Sequence, residues 1–114
     1  MTRIVALLAC VLLSVPAFAH KASDAYLTIE RDGGSLRGQW DIALRDLDNA
    51  LGLDANADGD ITWGEVRSRQ ADIGAYAISR LQVSSGGERC SLTPTAYLID
   101  THTDGAYAVM TFTG

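Results

Sequence analysis

Asp54-Ala55-Asn56-Ala57-Asp58-Gly59-Asp60-Ile61-Thr62-Trp63-Gly64-Glu65 is the stretch on which the reading of this chain turns. Asp54, Asn56 and Asp58 stand at its first, third and fifth places and each offers a side-chain oxygen to one hard cation. Glu65, at the twelfth, can close the site with both carboxylate oxygens. Asp60 at the seventh place contributes its backbone carbonyl, and Thr62 at the ninth is short and polar, suited to reach an ion through a water molecule. Gly59 serves the backbone instead, because the chain reverses sharply at the sixth place, where a residue without Cβ enters positive φ at little cost.

Places filled together in this way make the pattern of an EF-hand loop, and the expected metal ligands are Asp54, Asn56, Asp58, Asp60 and Glu65, with Thr62 through water. The expected ion is Ca2+. Many flexible oxygens and a bidentate glutamate suit calcium, whereas magnesium asks for a small octahedron and keeps its waters. The loop holds no cysteine and no histidine, so the ligands that zinc and copper favour are missing from it.

Outward from the loop, Asp46 is placed to cap a short helix through Leu47, Ala50 and Leu51 that Gly52 ends. On the far side one longer helix is expected from Trp63 to about Arg80, with Val66, Ile73, Tyr76, Ala77 and Leu81 along one side and Gly74 weakening it. Elsewhere the period is two. Residues 25–30 read as a strand, the turn Arg31-Asp32-Gly33-Gly34 follows, and a second strand aligns Leu36, Trp40, Ile42 and Leu44 on one face against Arg37, Gln39, Asp41 and Arg45 on the other. Beyond the helix, Leu81 and Val83 lead to the turn Ser84-Ser85-Gly86-Gly87, and Cys90 and Leu92 begin a strand that Pro94 makes an edge or a break. Residues 97–99 and 106–112 read as a further pair joined around Asp104-Gly105. The predicted fold class is α+β: β-hairpins flanking a single EF-hand helix-loop-helix, after a cleavable signal peptide.

Residues 1–19 are read as that signal peptide. Arg3 supplies the positive start, residues 4–15 an apolar core too short to span a bilayer, and Ala17-Phe18-Ala19 a small-x-small cleavage site that leaves His20 first. Leu7-Leu8-Ala9-Cys10 is a poorer lipoprotein-type site because it falls inside the apolar core. One domain, residues 20–114, remains, and periplasmic or secreted localisation follows. Loss of Arg3 leaves 8 basic against 14 acidic side chains, a net charge of −6. An acidic chain lacks the basic stripe of a nucleic-acid binder, so no nucleic acid is expected as partner. Cys90 is then the single thiol, which excludes an internal disulfide, and is expected to be a buried small apolar residue, with an intermolecular bridge as the lesser alternative.

No Gly-x-Ser-x-Gly and no Cys and His pair placed for nucleophilic work occur, so the chain reads as a binding module and not as an enzyme. Copper binding by an amino-terminal His20 together with His102 is a lesser alternative. The segments His20-Lys21-Ala22-Ser23-Asp24-Ala25-Tyr26-Leu27, Trp40-Asp41-Ile42-Ala43-Leu44-Arg45-Asp46-Leu47-Asp48, the loop, and Asp104-Gly105-Ala106-Tyr107-Ala108 resemble the exported N-terminal region of bacterial HupE/UreJ-like membrane proteins. The resemblance implies a following bundle of transmembrane helices tied to metal transport or to hydrogenase and urease accessory roles. After the signal sequence the chain has no apolar run of spanning length. The abrupt last strand, Phe112-Thr113-Gly114, reads as the front piece of something longer, which would make the domain the sensor or regulatory part of such a transporter.

Overall fold

The computed structural model describes residues 24–114; the expected signal peptide, Cys10 and His20 lie outside them. Four strands, β1 (Ala25–Asp32), β2 (Ser35–Ala43), β5 (Thr93–His102) and β6 (Gly105–Thr113), form one antiparallel sheet in the order β1-β2-β6-β5. Between β2 and β5 the chain makes three helices, α1 (Leu44–Leu51), α2 (Trp63–Ser68) and α3 (Gln70–Arg80), and then a small hairpin of β3 (Ser84–Ser85) and β4 (Glu88–Arg89). The fold is α+β, with antiparallel strands and few helices.

Turn chemistry sets the two long hairpins. Gly33 takes φ 60° at the β1–β2 turn, and the pairing runs unbroken from Ala25 opposite Ile42 to Asp32 opposite Ser35. Asp104-Gly105 lies at the other turn, where His102 faces Gly105. Pro94 cannot donate to a ladder, and it sits where this demands, on the outer strand β5, with a register irregularity between Pro94 and Ala96. The centre of the sheet is β2 against β6, from Arg37 opposite Thr113 to Ala43 opposite Tyr107.

Because strand side chains alternate, Trp40, Ile42, Ala108, Met110 and Phe112 share the face that meets the helices. Leu44, Leu47, Leu53, Val66, Ile73 and Ala77 cover that face and complete the core, with Leu36, Tyr97 and Ile99 packed at its margins. Strand β1 lies beyond this cover, and all 8 of its residues are exposed. Among the described residues no helix is long and apolar enough to cross a membrane.

Several boundaries differ from expectation. Leu44 is the first residue of α1 rather than the end of β2, and Asp46 lies in the first turn of α1 while Ala43 precedes it without a side-chain cap. Gly52 does end α1, at φ 68°. The single helix expected over 63–80 is two: Arg69, at φ −116° and ψ 17°, interrupts it between α2 and α3. Arg69 adopts this bend while its guanidinium bonds elsewhere in the domain, whereas the apolar spacing of Val66, Ile73 and Ala77 continues across the break. Cys90 is half-buried rather than fully buried.

Gly74, which costs helix propensity, is accounted for by contact: a Cβ there would run into the Tyr97 hydroxyl. Gly38 does the same in β2, where a Cβ would strike the ring of Phe112, itself 1% exposed and without room to retreat. Gly38→Ala is therefore expected to destabilise the domain by about 1 to 3 kcal/mol through overpacking. Urea unfolding at neutral pH checks this, and an unchanged midpoint contradicts the packing account.

Candidate ion-binding loop

Residues 52–62 connect α1 to α2 and are anchored at both ends by apolar side chains. Leu53 is 1% exposed, and half-buried Ile61 packs against the same core. Between these anchors the backbone folds around its own carboxylates. Asp54 Oδ2 accepts from the Gly59 N–H at 2.8 Å and Oδ1 from the Asp58 N–H at 3.3 Å. Asp58 Oδ1 accepts from the Asp60 N–H at 2.9 Å, and its Oδ2 from the Asn56 amide at 3.1 Å. Gly59 takes φ 84°, the reversal expected at this place, and Ala57 also lies at positive φ, 54°.

Glu65 ties the two ends of the loop together. Its Oε2 accepts from the Ala55 N–H at 2.7 Å and its Oε1 from the Thr62 N–H at 3.0 Å. Thr62 Oγ1 in turn accepts from the Glu65 N–H at 3.2 Å, so the pair forms a capping box that starts α2. Asp54 and Glu65, first and last of the expected ligands, are half-buried, while Asn56, Asp58, Asp60 and Thr62 are exposed.

Charge is favoured on these carboxylates. The N–H groups of Thr62 and Ala55 hold Glu65 below its ordinary value, and the Asp60 N–H does so for Asp58. The donors are all oxygen, which fits a hard cation such as calcium. Among the described residues no group of three or more His, Cys, Asp or Glu side chains is gathered as for a metal. The loop carboxylates are instead directed at backbone N–H groups, and the rest of the expected donor set is amide, hydroxyl and carbonyl oxygen.

Two features escaped the sequence reading. One is a polar and aromatic cluster on the face of the sheet away from the helices. Asp41, 5% exposed, accepts from the Gln39 amide at 2.9 Å and lies 2.9 Å from His102 Nε2. The His102 ring stacks on Tyr26 at 4.6 Å and meets Tyr107 edge-on at 4.4 Å. Tyr107 donates to Asp104 at 2.8 Å, and burial together with that bond pushes its phenol up to about 12. His102, one half of the alternative copper pair, is thus engaged with Asp41, while His20 is outside the described residues. The other feature is Arg69, whose guanidinium reaches the carbonyls of Leu51 and Gly52. Both features join residues distant in sequence, and local periodicity carries no sign of either.

No family model, no curated protein and no solved structure matches the chain. Its functional reading therefore rests on its own residues.

Two pH responses follow. Since Glu65 and Asp58 are lowered by the fold, their contribution to stability is complete above the ordinary carboxylate range of about pH 4 and is lost as pH falls through the lowered folded values. Without added cation, the stability difference between wild type and Glu65→Gln should be flat above about pH 5 and change as the pH falls below about 4. Denaturant midpoints at a series of pH values check this. Tyr107 runs the opposite way: its raised phenol favours the fold below the ordinary tyrosine value of about 10, and that contribution is lost as pH rises through about 12. Tyrosinate absorbance should show a late step that Tyr107→Phe removes.

Proposed function

We propose that residues 54–65 are an EF-hand loop that binds one calcium ion and that the ion stiffens a periplasmic or secreted domain. The observation that carries this reading is the complete donor pattern of the loop, closed by a Glu65 carboxylate that spans from Ala55 to Thr62. Asp54, Asn56, Asp58 and Glu65 would hold the ion by side-chain oxygens, Asp60 by its carbonyl and Thr62 through water. The role is binding, and the loop carboxylates serve as ligands rather than as acid and base. In paired hands Ile61 would meet its counterpart in a second loop; here it packs on the core of its own domain, which supports a stiffening role over the opening of a helix pair. A second reading is that the same loop serves the regulatory front part of a HupE/UreJ-like metal transporter.

Extracellular calcium modules work at dissociation constants of roughly 10⁻⁴ to 10⁻³ M, and an unpaired loop belongs in that range. At about 100 times the dissociation constant, calcium should add about 2.7 kcal/mol to stability, which raises the Tm of a domain this size by about 10 to 20 °C. Trp63, inside the loop and 38% exposed, is a built-in fluorescence reporter. Titration of the domain with calcium should give saturable changes in Trp63 emission and in Tm, both largely abolished by Glu65→Gln. Wild-type signals that do not move in millimolar calcium overturn the proposal.

A further inference from the structure

The two ends of the loop are held from below by a side chain that belongs to neither. Arg69 stands at the break between α2 and α3, where its own N–H turns back to the Val66 carbonyl at 3.1 Å and its carbonyl starts α3 by accepting from the Ile73 N–H at 2.9 Å. That bend frees the side chain from the helix surface. Nη2 donates to the Leu51 carbonyl at 3.1 Å, Nη1 to the Gly52 carbonyl at 3.2 Å, and Nε to Asp72 at 2.7 Å. Leu51 and Gly52 are the end of α1, where helix carbonyls lack partners within the helix and a cation is favoured by the helix dipole. A second bond works from the other side: Asp48, also in α1, accepts the Asp54 N–H on Oδ1 at 2.9 Å.

We infer that Arg69 and Asp48 are positioning residues for the loop's ion, a statement that rests on the calcium reading and adds to it. Arg69 fixes the chain just ahead of Asp54 to the chain just beyond Glu65, so the separation of the first and last ligands is set before an ion arrives. Asp48 fixes the backbone of Asp54 itself. Neither touches the ion. A guanidinium is required at the first position because three acceptors in three directions need its planar fork, which the single ammonium of lysine cannot reproduce. Partners of this kind, which orient ligands without touching the metal, change metal affinity by roughly 10- to 100-fold when they are removed.

The test is calcium titration of the whole domain, followed by Trp63 emission, for wild type, Arg69→Met, Arg69→Lys, Asp48→Ala, Asp48→Asn and Gly38→Ala. Arg69→Met and Asp48→Ala should each weaken calcium binding by roughly 10-fold or more. Asp48→Asn, whose amide oxygen can accept the same N–H, should recover most of the affinity, while Arg69→Lys should not. Gly38→Ala lowers stability far from the loop and should leave the dissociation constant at the wild-type value, which separates positioning from general loosening. Binding by Arg69→Met and Asp48→Ala as tight as wild type overturns the inference and leaves the calcium reading standing. So does a parallel loss in Gly38→Ala. A wild type that binds no calcium overturns both. Should Arg69→Met fail to fold, the Asp48→Ala and Asp48→Asn pair decides alone.

Discussion

A four-stranded sheet covered by one layer of helices has helical cover for only one of its faces, and the domain is arranged to meet that constraint. The order β1-β2-β6-β5 places β2 and β6 in the middle, so the stripe of Trp40, Ile42, Ala108, Met110 and Phe112 is what must be hidden. The only long excursion among the described residues is the one between β2 and β5, and every helix in it contributes to the cover. The acidic loop of residues 54–65 lies inside this excursion. Its ends are therefore not free: Leu53 and Ile61 belong to the same apolar cluster as the sheet, and any ion held between them would draw on the rigidity of that core.

How far the sequence shows this depends on the range of each interaction. The β1–β2 hairpin is legible because alternation and the Gly33-Gly34 turn are local, as is the reversal at Gly59, which takes positive φ. The end of α1 at Gly52 is legible for the same reason. The break at Arg69 is not: the helical period of Val66, Ile73 and Ala77 is satisfied on either side of it, and what defines the bend is a set of carbonyls contributed by α1. Gly74 reads as a weakness in one dimension and as clearance for Tyr97 in three. Likewise nothing near Asp41 announces that a carboxylate on the polar side of a strand is 5% exposed, since its partner His102 comes from the other hairpin.

That polar cluster shows how the uncovered face is managed. Without helices above it, Asp41 is shielded by rings, His102 stacked on Tyr26 and set against Tyr107, and each buried polar atom there finds a partner. A buried carboxylate left unpaired would cost far more than it does with two partners at 2.9 Å. The cluster also links both hairpins, since Tyr26 comes from β1, Asp41 from β2, His102 from β5 and Tyr107 from β6. The sheet is thus also held together by side chains on the face that the helices leave uncovered.

Glu65 brings the local and the long-range constraints to one carboxylate. A helix of 6 residues such as α2 cannot stand by its own propensity, because nucleation consumes most of what so few hydrogen bonds return. It begins at the box formed by Thr62 and Glu65, and the same Glu65 oxygens hold the Ala55 N–H on the far side of the loop. A carboxylate has about four lone-pair directions; Glu65 accepts from two N–H groups and from the Thr62 hydroxyl at 3.1 Å, which leaves about one direction for an ion. The Glu65 bonds across the loop and the start of α2 belong to one geometry: whatever orders the loop orders the helix, and whatever unwinds the helix spoils the loop. With Val66 fully buried in the next position, the coupling runs directly into the core. A loop so placed is suited to add stability to a fixed arrangement, because a helix tied by its first turn to Thr62 and by Val66 to the core has little freedom left to swing.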